Sequence, residues 1–482
     1  MKKQKAFVFR CGSCGHEEPK WLGRCPECGE WNTLAESAVS AANRPGLPGG
    51  RGKEAGRAQS FPLSSVDPQE GSRIGSGIEE LDRVLGGGIM KRSAILVGGE
   101  PGIGKSTLLL QAAASADIKG RVLYVSGEES AGQIRMRADR LDLMGTGEGP
   151  GIPGGKTRAV SGASSRIEIL CSTNLEDIQR VIEAVRPVII VIDSVQTLYT
   201  AEAGLTPGTI NQMKYTSWEL ISWVKEHDAC LFLIAHVTKD GLISGPKSLE
   251  HMVDTVLYFE QNDGESRFLR AVKNRFGSVD EIGIFTMGEK GLSVVEDPSL
   301  LFLVSREGEL PPGVATAAVL EGSRSLLVEI QALTVPAKGT ISRVFSDRID
   351  SARVSRVAAT IEKHLGLRLS DQDLYVNVAG GIRITEVGVE LALACAVYSA
   401  RTGVPLPART AIAGELSLAG EVRPLRRLAG RVKTSQSLGF SSFLGPPAEG
   451  EEPIPRQEGK FLGAADIKEA IGVLFSSGAR KK

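Results

Sequence analysis

The chain lacks any apolar run approaching the ~20 residues needed to cross a bilayer, which excludes membrane-spanning channels and carriers. Its start, Met1-Lys2-Lys3-Gln4-Lys5-Ala6-Phe7-Val8-Phe9-Arg10, has no apolar stretch long enough for a secretory leader. The expected location is therefore the cytoplasm, with no membrane partner. Net charge is also absent, because 57 Lys and Arg balance 57 Asp and Glu. Bulk attraction to a polyanion is excluded, and any nucleic-acid binding must come from local patches. Cysteine is sparse, with seven in 482 residues. Cys171, Cys230 and Cys395 lie in apolar stretches and are expected to be small buried core residues. What remains, 41% hydrophobic and 24% charged, is ordinary for a globular protein, and the length suggests about three domains.

The other four cysteines are crowded together. Cys11-Gly-Ser-Cys14-Gly and Cys25-Pro-Glu-Cys28-Gly form two C-x-x-C-G knuckles. Four thiolates at this spacing suit tetrahedral Zn²⁺ with no open position, a structural site. Residues 1–35 are too few for a real core, so metal binding is expected to drive their folding. Disulfides are the alternative, at odds with a cytoplasmic chain. Trp21 and Trp31 are expected to pack against the knuckles. Residues 36–60, rich in Ala, Gly, Pro, Ser and Arg, read as a flexible linker, and the glycine-rich 145–165 as a surface insertion.

Residues 99–107 read Gly99-Glu100-Pro101-Gly102-Ile103-Gly104-Lys105-Ser106-Thr107, a phosphate-binding loop of pattern G-x-x-x-x-G-K-[ST]. An apolar strand, Ala94–Val97, precedes it and a helix start, Leu108-Leu-Leu-Gln-Ala-Ala-Ala, follows. Glycines let amides turn inward around a phosphate, and the helix N-terminus adds partial positive charge. Lys105 would reach the β/γ-phosphates of ATP and the Ser106 hydroxyl would bind Mg²⁺. Short apolar runs at 122–125, 167–170, 188–192 and 231–234 alternate with helical stretches such as Leu175–Val185 and Thr216–His227. That alternation predicts an α/β fold with a parallel sheet covered on both faces. Asp193 ends the third run and would hold Mg²⁺. Glu128, expected on the strand beside the phosphate loop, would activate the attacking water, with Glu129 as the fallback. A solvated helix-start acid is the alternative for either. The ATPase domain is set at 61–296, a linker at 297–312, and a separate α+β domain at 313–482.

Gly77-Ile-Glu-Glu-Leu-Asp-Arg-Val-Leu-Gly-Gly-Gly88, the order of Glu128 and Asp193, and Ala235-His-Val-Thr-Lys-Asp-Gly241 resemble the RecA-type core. With the four-cysteine finger and Lys273-Asn274-Arg275-Phe276-Gly277, the whole chain resembles the bacterial RadA (Sms) family of DNA repair proteins. The resemblance implies a DNA-dependent ATPase, acting as a branch-migration motor in homologous recombination. It implies ATP, Mg²⁺ and Zn²⁺ as cofactors, single-stranded and branched DNA and a RecA-type recombinase as partners, and a homohexamer. In strand geometry Lys273 and Arg275 point to one side and could reach a neighbouring subunit's γ-phosphate. A solvated basic edge is the alternative. The loop 238–247 is a candidate DNA contact. His236 stands where relatives sense the γ-phosphate, or is a satisfied core histidine.

Residues 313–482 resemble the proteolytic domain of Lon, most clearly at Gly414-Glu-Leu-Ser-Leu-Ala-Gly-Glu-Val-Arg-Pro-Leu425. That chemistry needs a Ser–Lys dyad. The serine is expected near Glu386–Val387 and the lysine near Ala429, and neither is there. The domain is expected to be a scaffold. Arg423, Arg426, Arg427, Arg431 and Lys433 form one basic cluster compatible with DNA contact; Arg343, Arg348, Arg353 and Arg356 form another. The remaining alternatives are an ATP-dependent protease of Lon type and a signalling ATPase of KaiC type.

Overall fold

The computed structural model describes residues 7–38, 62–65, 72–143, 163–236, 247–261, 266–447 and 459–475, apart from positions 19, 205, 296, 305, 307, 338, 340 and 341. The proposed linker from 39 onward, the glycine-rich stretch up to 162 and the loop 238–246 lie outside these. The chain divides into two compact units. The first holds Met1–Glu260, Leu269–Val279 and Met287–Val294; the second holds Gln261–Phe268, Asp280–Thr286 and Val295–Lys482. Among the described residues, no helix is long and apolar enough to cross a membrane.

The finger is a three-stranded antiparallel sheet, β1 (Phe7–Cys11), β2 (Glu17–Glu18) and β3 (Leu34–Ala38), in the order β2-β1-β3. Among the described residues, its buried apolar cluster is Cys11, Cys25 and Leu34. So small a core cannot cover two indoles. Trp21 and Trp31 are 54% and 70% exposed: they lie against the knuckle segment, Trp21 donating to the Leu34 carbonyl at 3.1 Å and Trp31 meeting Arg24, without being buried.

A short ladder of β4 (Arg73–Ile74) and β5 (Ile89–Met90) encloses helix α1 (Glu79–Val84). The main sheet follows: β6 (Ala94–Gly99), β7 (Val122–Ser126), β8 (Ile167–Cys171), β9 (Ile189–Asp193), β10 (Cys230–His236) and β11 (Thr255–Gln261), extended by β12 (Ser266–Asn274), β13 (Ile282–Gly288) and β14 (Gly291–Val294). The order is β14-β13-β12-β11-β6-β10-β9-β7-β8, parallel from β8 to β11. Helices α2 (Lys105–Ser115), α3 (Ala131–Arg140), α4 (Ala163–Arg166), α5 (Leu175–Val185), α6 (Ile210–Glu226) and α7 (Lys247–Met252) connect these strands. β6, β7, β9 and most of β10 are buried along their whole length, as strands covered on both faces must be. The expectation that β7 lies beside β6 is corrected: β6 pairs with β10 and β11, and β9 and β10 separate it from β7. Periodicity identifies strands but carries no information about their order, and later strands filled the gap. Cys230 and Cys395 are buried, whereas Cys171 is exposed. β8 is the sheet's edge strand, so its apolar run faces solvent on one side.

The second unit is built on a sheet of order β17-β18-β16-β15-β19-β22-β23. Its strands are β15 (Val314–Glu321), β16 (Arg324–Pro336), β17 (Val344–Ser346), β18 (Gln372–Val378), β19 (Thr410–Ile412), β22 (Ser442–Gly445) and β23 (Lys460–Gly463); β20 (Glu415–Leu416) and β21 (Val422–Arg423) form a separate pair. α8 (Ser351–Leu365), α9 (Glu390–Thr402) and α11 (Ile467–Phe475) pack their apolar faces on one side, with Val319, Val328 and Val376. α10 (Leu428–Ser437) packs on the other, where Val432 meets Ala318, Leu327, Ala411 and Phe443. The alternation Leu326, Leu327, Val328 between the two cores is the period-2 pattern of a strand buried on both faces.

Where the Lon-type dyad is missing, a charge pair stands instead. Arg431, at 1% exposure, donates to both carboxylate oxygens of Glu386, at 2.6 and 3.0 Å, and to the Ala318 carbonyl at 2.7 Å. Glu386 also accepts the Leu320 amide. Removing one partner strands a buried charge, which typically costs about 3–5 kcal/mol. Glu386→Ala is therefore expected to lower the melting temperature of this unit by about 10 °C. An unchanged transition in calorimetry would show that the pair does not hold the domain.

The two arginine clusters are also corrected. Arg431 is buried; Arg353 donates to the Thr385 and Glu386 carbonyls; Arg356 pairs with Glu390, Arg343 with Asp373 and Arg423 with Glu415; Arg427 donates to the Ser323 carbonyl. These six side chains each have an acceptor within the unit, so neither cluster is wholly a patch of uncommitted charge.

Candidate nucleotide site and zinc finger

The four cysteine Sγ atoms lie within 4.8 Å of one another, with Cys11···Cys28 at 3.6 Å and Cys14···Cys25 at 3.5 Å. A tetrahedral site with Zn–S of ~2.3 Å has S···S edges of ~3.8 Å, so this donor set fits zinc. The knuckles are closed by Gly15 and Gly29 amides donating to the Cys11 and Cys25 carbonyls, both at 2.9 Å. Full-length protein should carry one zinc. Cys25→Ser should lose it, and chelators should unfold the finger alone. Metal analysis showing one tightly bound zinc in Cys25→Ser would count against this cluster.

The phosphate loop joins β6 to α2. Gly104 caps α2 at φ 113°, a conformation L side chains rarely adopt, and a Cβ there would lie 2.6 Å from the Met287 Cε. The first intrahelical bond is from the Leu108 amide to the Gly104 carbonyl, so the amides of Lys105, Ser106 and Thr107 remain for a ligand. Lys105 is buried, and its Nζ donates to the carbonyls of Gly99 at 2.7 Å and Glu100 at 2.8 Å. Burial lowers its pKa to about 8, against the opposing pull of Asp193, Glu128 and Glu100.

Three strand ends contribute the carboxylate side of the site. Asp193, buried at the end of β9, accepts the Tyr124 hydroxyl at 2.6 Å. Burial and the Asp193 charge push the Tyr124 hydroxyl well above its usual range, so it remains a donor. Glu128, just past β7, accepts from Ser194 Oγ at 2.5 Å and meets His236 Nε2 at 3.2 Å; His236 Nδ1 lies 3.4 Å from Lys105 Nζ. Burial alone would raise the Glu128 carboxyl. The Ser194 and His236 hydrogen bonds, with the charges of His236 and Lys105, outweigh it and hold the group below its usual range. Glu128 thus stays an ionised acceptor at neutral pH. Glu129 turns away into an ion pair with Arg137. His236 is partly exposed and bridges Lys105 to Glu128 rather than filling a core position. Tyr124 and Ser194 escaped sequence reasoning. Ser194 does follow Asp193 directly, but nothing in the wholly buried β7 singles out Tyr124.

Lys273-Asn274-Arg275-Phe276-Gly277 is tied down residue by residue. Lys273 Nζ donates to the carbonyls of Glu250, His251 and Val253, closing the C-terminal end of α7. Asn274 donates to the Val84 carbonyl. Arg275 pairs with buried Asp254 at 3.5 Å. The Phe276 carbonyl accepts from Arg73. A Cβ on Gly277 would lie 2.9 Å from the Gly86 Cα, so only glycine allows the two loops to touch. Asp254 also accepts the Ala94 amide at 3.0 Å and Lys225 Nζ at 2.6 Å. Arg275 therefore sits at the start of β6, whereas the phosphate loop leaves its end.

Comparison with known proteins identifies the parts. The KaiC ATPase family matches residues 74–299, the rubredoxin metal binding domain residues 9–36, and subunit ChlI of Mg-chelatase residues 338–449. The whole chain is similar to proteins named DNA repair protein RadA. That of Treponema pallidum (strain Nichols) is 53% identical over 481 residues, covering 99% of both chains. Those of Brucella abortus (strain 2308) and Bacillus subtilis (strain 168) are 42% and 40% identical, each covering 98% of this chain and 98% and 99% of their own.

Proposed function

The chain belongs to the RadA family of DNA repair proteins, with an ATPase core, and from that premise we propose a ring-shaped motor that moves on single-stranded DNA and migrates branch points of recombination intermediates. The position of Arg275 carries this reading. It is anchored beside Ala94, and β6 runs ~16 Å from there to the phosphate loop at ~3.3 Å per residue. An arginine so placed is out of reach of its own nucleotide. We read it as serving a neighbour's, which requires a ring or filament of like subunits.

In the proposed cycle, the amides of residues 102–107 hold the β- and γ-phosphates. Lys105 exchanges its two carbonyl acceptors for phosphate oxygens. Ser106 and Asp193 would hold Mg²⁺, which neutralises charge on the phosphates. Glu128, oriented by Ser194 and His236, aligns the attacking water and accepts its proton. Arg275 of one subunit stabilises the charge that develops on the γ-phosphate of the next, while Lys273, its three N–H groups taken by backbone carbonyls, adds charge nearby rather than a hydrogen bond. His236 touches both the phosphate-loop lysine and the base. In sequence it stands two residues before the candidate DNA-contact segment 238–247, most of which lies outside the described residues.

The test is ATP hydrolysis with and without single-stranded DNA, followed by strand exchange on a synthetic three-strand junction. Stimulation and ATP-dependent branch movement are expected. Hydrolysis indifferent to DNA would instead favour signalling through protein partners. Proteolysis is disfavoured because Glu386 and Ala429 replace the dyad, and absence of casein cleavage is the expected result.

A further inference from the structure

The α10 side of the second unit's sheet is only half covered. α10 packs over β15, β19, β22 and the Leu327 part of β16. Beyond it, among the described residues, the same face is open from Gln331 on β16 across β18 and β17. Its outward residues fall in register. Leu333 and Phe345 both flank Tyr375, and Gln331 pairs with Asn377 in the next row. Leu333, Phe345 and Tyr375 are 56%, 42% and 38% exposed. The two rings are stacked, with centroids 4.6 Å apart and planes at 12°. The Arg343 guanidinium lies 5.4 Å from the Phe345 centroid, extending the stack with a cation. The Asn377 amide donates to Gln331 at 3.3 Å. A hollow of about 410 Å³ is bounded by Gln331, Leu333, Phe345, Asp347, Tyr375 and Asn377.

We propose that this uncovered half-face is a base-stacking platform for single-stranded DNA, separate from the ATPase core. Rings held side by side in water, with a guanidinium at one end, are prepared to continue their stack with a planar group. The Asp347 carboxylate and the groups that Gln331 and Asn377 do not spend on each other and on Glu329 suit the hydrogen-bonding edge of a nucleobase better than an apolar protein surface. Duplex DNA keeps its base faces stacked internally, so the matching ligand is a single strand with splayed bases. The inference rests on the DNA-bound reading above and adds a second strand contact to it.

The test uses the full chain and fluorescence anisotropy with two probes of equal length, oligo-dT and an abasic oligonucleotide. Wild type should prefer oligo-dT. Tyr375→Ala and Phe345→Ala should each weaken oligo-dT binding about tenfold, the size of one lost base stack, with little change for the abasic probe. Tyr375→Phe should keep wild-type affinity. Ultraviolet crosslinking of wild type to a bromouracil-substituted strand should modify the peptides carrying Phe345 or Tyr375. This readout stands even if an alanine variant unfolds. Unchanged oligo-dT affinity, equal losses on both probes, or crosslinks confined elsewhere would overturn the platform. So would alanine variants that change assembly mass in light scattering but not DNA affinity, because a second copy would then cover the face. A wild type that binds neither probe overturns the DNA reading itself.

Discussion

Replacing Lys105 with alanine is expected to abolish ATP hydrolysis, with a loss of at least about 10²–10³ in kcat. The ammonium is the one cation in the loop, and it is held buried where the phosphates would enter. A buried charge with two carbonyl partners costs free energy until an anion arrives, and its lowered pKa measures that cost. The same shift predicts a pH dependence. Free Lys105 loses its proton as pH rises past about 8, while bound phosphates hold that proton on. ATP affinity should then be flat below that pH and fall above it, with a proton taken up on binding. Titration calorimetry at pH ~9, in buffers of different ionisation heat, should show the uptake in wild type and not in Lys105→Ala. Wild-type turnover in Lys105→Ala would refute the site.

Arg275→Ala is expected to retain nucleotide binding but lose about 10³–10⁵ of the DNA-stimulated rate. Its guanidinium would act on charge present in the neighbour's transition state, so ground-state affinity barely feels its removal. Mixing gives the sharper result. A ring containing Arg275→Ala and Lys105→Ala subunits has some interfaces where an intact loop faces an intact arginine, and those should turn over. If both variants assemble normally and mixed rings recover nothing, the trans assignment is wrong. Asp254 makes the control available. It holds Arg275 but also the Ala94 amide and Lys225, so Arg275→Lys, which keeps the pair, separates lost anchoring from lost catalysis.

The phosphate loop and the cysteine knuckles were legible because each is a local pattern, complete within a few residues. Helix α5 was legible to the residue, since Asn174 caps its start and Arg186 ends it in the left-handed region. The Glu128–Ser194–His236 contact was not, because its members come from the ends of β7, β9 and β10, whose adjacency is a tertiary fact. Exposure was misjudged wherever the surroundings decide it. The Cys171 run looked like core but lies on an edge strand, and the finger offers its tryptophans no core to enter. The arginine clusters misled for the opposite reason. Proximity in sequence suggested a shared surface, but Arg431 is in the interior and Arg353 is largely withdrawn.

The Glu386–Arg431 pair has a consequence for redesign. Serine at 386 would strand the Arg431 charge before any activity could appear. Lysine at 429 would add a cation two residues from both Arg427 and Arg431. Building a Ser–Lys dyad into this unit therefore takes a third substitution, one that removes the Arg431 charge.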